Sequence, residues 1–378
     1  STIALKGSGS SANPEVSNLT FILRDNTGAA ISGKEVSYEL STEVGGITLS
    51  KATSFTSEDG TTSVALNAGG VNVSVSVTAS VTNDDGDTIV TTSNPIAIVG
   101  GLPNQDSFSV SVQTFNPRAG NFDGSTSGIT IRAADRFNNP APDSTQISFV
   151  TNGGSIIGAC ALSGGVCSVN WTGQNPRPES GLARILVRTT GEESFNDGNS
   201  NGKYDVDEAI LSNFGEAFLD VNSDGVRTDD EFYSDFNGNE VFDEDGSSLF
   251  QGTNCSADAE AAGHCANLIE VRGNATLCMS SDEVEVSVVA LSAHTFRFTF
   301  DDGDNNLMPA SGTSITVAVE DGSLVNGGTI VVPNACADGN GDPLVFSADV
   351  TVEPDEDDDT TSGILKVTVT EVDGDVVE

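Results

Sequence analysis

The chain has 378 residues, room for two or three domains, and carries 56 acidic against 15 basic residues for a net charge of −41. Such a surface repels nucleic acid and anionic membrane, which argues against both as partners, and it favours divalent cations or life in high salt. No run approaches the roughly 20 apolar residues of a membrane-spanning helix, and plentiful Gly, Ser, Thr and Val with few aromatics suits short strands joined by turns.

The chain opens Ser-Thr-Ile-Ala-Leu directly into strand-like sequence without a signal peptide, as expected of a mature protein or of a fragment of a longer one. One pattern then recurs three times. The segments Leu19–Asp25, Ile129–Asp135 and Phe296–Asp302 alternate apolar and polar residues and end in Asp, followed by a Gly/Asn turn. A second strand follows in each copy (Val36–Leu40, Ile147–Val150 and Ile315–Val319), then a glycine break at Gly45 and Gly46, at Gly153 and Gly154, and at Gly322. Period-two alternation with frequent turns predicts an all-β chain of three tandem β-sandwiches, residues 1–100, 101–280 and 281–378.

Asp25 and Asp135 lie 110 residues apart, Asp135 and Asp302 lie 167 apart, and the excess of 57 matches an acidic stretch at about 193–250. That stretch reads as an insertion in the middle sandwich, between the strands Leu182–Arg188 and Asn267–Arg272.

The insertion holds the chain's most chemical sequence. Residues 197–208 form a twelve-residue loop with oxygen side chains Asp197, Asn199, Asn201 and Asp205 at places 1, 3, 5 and 9, Gly202 at the sharp turn of place 6, and Glu208 at place 12. A calcium ion needs that pattern: six to eight hard oxygens, one of them a main-chain carbonyl (Lys203) and two from the last glutamate. Residues 220–231 repeat it with Asp220, Asn222, Asp224, Gly225, Thr228 and Glu231, and the carbonyl of Val226. A third loop offers Asp235, Asn237, Asn239, Asp243 and the Val241 carbonyl, but Glu240 replaces the turn glycine and Gly246 the last glutamate. Glu244 or Asp245 is the expected substitute, giving a distorted site of lower affinity.

Between the first two loops, Ile210, Phe214 and Phe218 recur every fourth residue, which predicts a short helix over Ala209–Leu219. Helical flanks are otherwise missing, so a calcium sensor that opens a helix pair is not expected. The clustered carboxylates repel one another without metal, and folding of the insertion should be linked to calcium.

Six cysteines allow fifteen pairings. Cys160 and Cys167 flank a turn between two apolar runs, Cys255 and Cys265 bracket a short polar loop, and Cys278 and Cys336 then pair by elimination. Disulfides imply an oxidising, extracellular or periplasmic setting.

The stretch from Phe21 to Val36, with Thr56–Leu66, resembles a bacterial Ig-like domain of the invasin/intimin group, and the second copy (Arg132–Pro140, Gly164–Trp171) resembles it too. The resemblance covers roughly residues 1–190 and 265–320 and implies rod-like surface or secreted proteins that act as stalks and adhesins. The insertion is similar to the dockerin-like tandem calcium loops of bacterial extracellular proteins, in which the metal orders the backbone.

The remaining signals are plain. Asp338–Asp342 places proline where a calcium loop needs glycine and reads as a turn, and the run Asp355–Asp359 reads as a solvated loop. Trp171 sits in an apolar strand as a core residue, and His264 and His294 stand far apart without a catalytic cluster, so no enzyme is expected. The expectation is a calcium-binding structural or adhesive segment of an extracellular bacterial surface protein. Its partners would be calcium and a host or neighbouring-cell protein or glycan, or copies of itself. Alternatives are a calcium-dependent glycan- or protein-binding module and a repeating filament subunit.

Overall fold

The computed structural model describes residues 2–377 apart from 7–8, 10–13, 72, 212, 245–248, 254, 282, 339–341, 355–362 and 371–375. The turn at 339–341, the acidic run from Asp355 and both Asp245 and Gly246 fall outside the described residues.

Three Ig-like sandwiches follow one another, each of two antiparallel sheets. In the middle unit one sheet runs Phe108–Val112, Thr126–Ala133, Val166–Thr172, Ser155–Ile156, and the other Ala159–Ala161, Gln146–Thr151, Leu182–Gly191, Ile269–Cys278. The third unit repeats that order with Glu285–Ala290, Thr295–Asp301, Phe346–Glu353, Ser323–Leu324 and Thr329–Val331, Ser314–Val319, Leu365–Thr370, Val376–Val377. The repeated architecture therefore continues past Gly322. The first unit lacks the leading edge strand and adds a small sheet in which Thr2–Ala4 pairs in parallel with Ile96–Val99.

Alternation fills each core from both sheets. Val36, Tyr38, Val64, Leu66 and Val77 meet in the first unit, and Phe298, Phe300, Ile315, Val317 and Val350 in the third. Trp171, 0% exposed, centres the second, and its indole N–H donates to the Gly153 carbonyl at 2.8 Å. Gly154 must be glycine: its φ is +68° and a Cβ would lie 2.5 Å from the Trp171 ring.

The repeated Asp has a structural reason. In all three copies one carboxylate oxygen accepts two N–H groups of the following turn: Thr27 and Ala29 for Asp25, Phe137 and Asn139 for Asp135, Asn305 and Leu307 for Asp302. In the two later copies the other oxygen accepts an N–H of the incoming linker, Gly101 at 3.0 Å and Ser281 at 3.3 Å. The same residue thus closes a turn and fastens one sandwich to the next.

The junction of units two and three is tied further. Buried Asn116 donates to the carbonyls of Pro309 (2.7 Å) and Pro333 (3.2 Å), and Asn334 bonds Phe115 and Gln113. Cys278, on the last strand of unit two, is bonded to Cys336 of unit three, packed with Leu182 and Leu307.

The strands Leu182–Gly191 and Ile269–Cys278 pair in register over their whole length, Gly191 opposite Ile269, so residues 192–268 leave the sandwich as one long hairpin excursion. This excursion explains an anomaly of pattern. Leu182–Gly191 is buried on both faces because Ala217 and Leu219 of the excursion cover Leu186. The helix expected over Ala209–Leu219 does not form; the described part of that stretch is irregular, with isolated bridges such as Ile210 to Phe195 and Phe218 to Tyr233. Asn213 and Gly215 oppose a helix there, and Gly215 is needed where the chain passes Asp243, since a Cβ would lie 2.0 Å from that residue's carbonyl oxygen. Among the described residues the α-helix of the excursion is Ala257–Ala261, capped by Ser256. No helix among the described residues is long and apolar enough to cross a membrane.

Candidate metal centre

The three loops share one backbone. The N–H at place 6 donates to the place 1 carboxylate at 2.9 Å in each: Gly202 to Asp197, Gly225 to Asp220, Glu240 to Asp235. Place 5 donates to the place 3 amide oxygen (Asn201 to Asn199, Asp224 to Asn222, Asn239 to Asn237), and place 7 donates to place 5 (Lys203, Val226 and Val241). These side-chain oxygens are thereby all bonded to the main chain of one turn per loop.

The turn needs positive φ at two places. Ser200 and Gly202 supply it in the first loop, Ser223 and Gly225 in the second, and Gly238 and Glu240 in the third. Glu240 takes φ +62° despite its Cβ, a strain of about 1–2 kcal/mol.

The place 12 carboxylate closes the first two loops alike. Glu208 accepts the N–H groups of places 2 and 9, Gly198 at 2.7 Å and Asp205 at 3.1 Å. Glu231 accepts Val221 at 2.7 Å and Thr228 at 2.9 Å. In the third loop the N–H groups of places 2 and 9, Phe236 and Asp243, donate at 2.8 and 3.3 Å to Glu216, nineteen residues before the loop begins. Sequence reasoning missed Glu216; its one signal was that the loop lacked a final glutamate. Glu244, one of the two substitutes expected, is exposed.

Electrostatically the segment is short of cations: Lys203 and Arg227 are the only basic residues between 193 and 250. Glu231 is 3% exposed and makes no ion pair among the described residues, and the buried Asp220 Oδ1 has no hydrogen-bond partner. Hydrogen bonds from Ser256, Asn199 and Asn201 hold the Asp205 carboxyl below its ordinary range. Among the described residues no three His, Cys, Asp or Glu side chains gather closely enough to hold a metal by themselves. Any ion here would draw also on Asn side chains and main-chain carbonyls, which the loop pattern supplies. His264 and His294 lie apart, one in the excursion and one in the turn before Thr295.

Loop 1 is welded to the sandwich through Arg136, the residue after the linker-holding Asp135. Its guanidinium lies 3.6 Å over the Phe195 ring, 3.7 Å from Asp197 Oδ2, and donates to the Gly202 carbonyl at 3.4 Å. Burial lowers its pKa while Asp197 opposes the shift. Beneath it the rings of Phe195, Tyr204 and Phe250 pack with centroids within 5.5 Å, Tyr204 stacked on Phe250 and Phe195 edge-on to both, beside the Cys255–Cys265 disulfide. The remaining pair, Cys160–Cys167, crosses between the two sheets of the middle unit. Loops 2 and 3 rest on a smaller cluster of Phe218, Tyr233 and Phe242 with Arg227 over the Tyr233 ring.

Glu193, 1% exposed at the root of the excursion, accepts the N–H groups of Gln251 and Phe214, yet burial pushes its carboxyl up to about 7. From pH 4.5 to 7 the folded chain then holds more of this proton than the unfolded chain, so stability falls as pH rises through that window and is level above it. The shift is worth about 3 kcal/mol. Glu193→Gln should flatten this slope in thermal melts recorded between pH 4.5 and 8; an unchanged slope would assign it to other groups.

No protein-family profile matches the chain, and no curated protein matches it. Solved structures do. The D0–D1 domain of intimin is 18% identical over 50% of this chain and 86% of that one, with a TM-score of 0.24. Invasin, a bacterial integrin-binding protein, is 14% identical over 99% of this chain and 56% of its own length, with a TM-score of 0.29. A 1.5-MDa bacterial ice-binding adhesin is 15% identical over 100% of this chain and 90% of that one, with a TM-score of 0.24. Likenesses this distant carry no conclusion about what the present chain binds.

Proposed function

We propose that the chain is a calcium-ordered structural segment, a stalk or adhesin, of an extracellular bacterial surface protein. The observation that supports this reading is the common backbone of the loops, in which a carboxylate closes on places 2 and 9 with its two oxygens and alternate oxygen side chains bond the same turn. Asp197, Asn199, Asn201, the Lys203 carbonyl, Asp205 and Glu208 would hold one ion, and Asp220, Asn222, Asp224, the Val226 carbonyl, Thr228 and Glu231 a second. An all-oxygen set suits calcium and not zinc. Calcium there supplies positive charge to the buried Glu231 carboxylate, which makes no ion pair among the described residues.

Among the described residues the loops lack the paired helices of a calcium switch, and they grow from a hairpin of the middle sandwich, so calcium acts as a fastener. Linkers held by Asp135 and Asp302 favour a stiff rod, and three disulfides suit an oxidising exterior. The partner of such a rod is a host or neighbouring-cell protein or glycan, or another copy of itself. Calcium titrated calorimetrically into the whole chain should fill at least two sites. A variant in which a short turn replaces residues 192–268 should fill none, and equal binding by both would sink the reading.

A further inference from the structure

The third loop ends in Gly246 where its two neighbours have glutamate, yet its backbone closes on a carboxylate from elsewhere. We infer that Glu216, from the segment joining loops 1 and 2, is the two-oxygen ligand of a third calcium site completed by Asp235, Asn237, Asn239 and the Val241 carbonyl. The inference rests on the calcium reading of the first two loops.

The correspondence is atom by atom. One oxygen of Glu208, of Glu231 and of Glu216 accepts the N–H at place 2 of its loop, and the other accepts the N–H at place 9. Glu216 therefore stands where place 12 would stand, although it reaches the loop from the opposite direction along the chain.

Two observations outside the loop point to a cation. Glu216 is 8% exposed and makes no ion pair among the described residues, so its buried charge lacks a counter-ion. Glu270, 7% exposed, spends one carboxylate oxygen on Arg188, and its Oε2 has no hydrogen-bond partner. Glu270 lines the same cavity of about 770 Å³ as Glu216, Asn237 and Asp243. A buried carboxylate without a counter-ion is costly, and a divalent ion beside Glu216 offsets it.

The segment is anchored so that it can serve. Glu216 N donates to the Asp243 carbonyl at 2.9 Å, and Arg272 donates to the Gly215 carbonyl at 2.9 Å. Ala217 and Leu219, just beyond, pack on Leu186 of the sandwich. The third ion consequently ties the loop farthest along the excursion to a segment seated on the sandwich, which neither of the other two does.

The test is calcium titration of the whole chain by calorimetry, with Glu216→Gln and Glu244→Gln beside the wild type. Three equivalents are expected for wild type, two for Glu216→Gln and three for Glu244→Gln. Two in wild type, three in Glu216→Gln, or two in Glu244→Gln would each overturn the assignment while leaving the first two loops as calcium sites. No binding in wild type would overturn both readings together. Should Glu216→Gln fail to fold, Glu216→Asp keeps the charge on a shorter arm. It should retain two unaltered sites and weaken the third by roughly tenfold or more; three unaltered sites would overturn the assignment.

Discussion

Chelating calcium from the whole chain should unfold the tip of the excursion while the three sandwiches stay folded. Each site filled at a hundred times its dissociation constant stabilises the folded state by about 2.7 kcal/mol, and none of that remains in excess EGTA. What is left differs along the segment. Residues near loop 1 keep the Phe195–Tyr204–Phe250 cluster, the Arg136 contacts and the Cys255–Cys265 bond. Loops 2 and 3 rest on the smaller Phe218–Tyr233–Phe242 cluster and on Ala217 and Leu219 against Leu186, with no disulfide, against the repulsion of their own carboxylates. Limited proteolysis read by mass spectrometry should therefore cut first within 220–244 once EGTA is added, with a lower melting temperature for that transition. Equal cleavage rates with and without calcium would remove the structural role of the metal.

The second large effect is expected at the junction of units two and three. The Cys278–Cys336 bond closes a span of 58 residues across two sandwiches, worth about 4 kcal/mol in the chain-entropy account. Asn116→Ala would add about 1–3 kcal/mol by leaving the Pro309 and Pro333 carbonyls without their buried donor. Calorimetric melts should show units two and three unfolding in one transition in the wild type. The triple variant Cys278→Ser, Cys336→Ser, Asn116→Ala should show two, with unit three melting first because its cluster of fully buried residues is the smaller. A single transition in the variant would mean that the contacts of Asp302, Ser280 and Asn334 suffice to couple the units.

Much of this was legible in the chain. Strict alternation in segments such as Ile129–Asp135 specifies which side chains turn inward, because a strand's period is two whatever surrounds it. The terminal Asp of each copy and the oxygen spacing of the loops are equally local, since both are turns that a side chain makes with its own neighbours. For the same reason the first two loops could be laid out place by place from 197 and 220.

Where distant segments meet, the chain misled or was silent. Ile210, Phe214 and Phe218 have helical spacing, but each answers a different neighbour: Ile210 the Phe195 cluster, Phe214 the Arg272 guanidinium, Phe218 the Phe242 ring. Periodicity signals a helix only when one surface receives every side chain of the series. The continuous burial from Leu182 to Val187 had no local reason either; Ala217 and Leu219 cover its second face at Leu186. Glu216 is the sharpest instance. Turns, loop order and the two short cysteine closures follow from interactions within a few residues, which sequence order preserves. Which carboxylate closes the third loop depends on how the excursion folds back over the sandwich, and only packing brings residue 216 to residues 236 and 243.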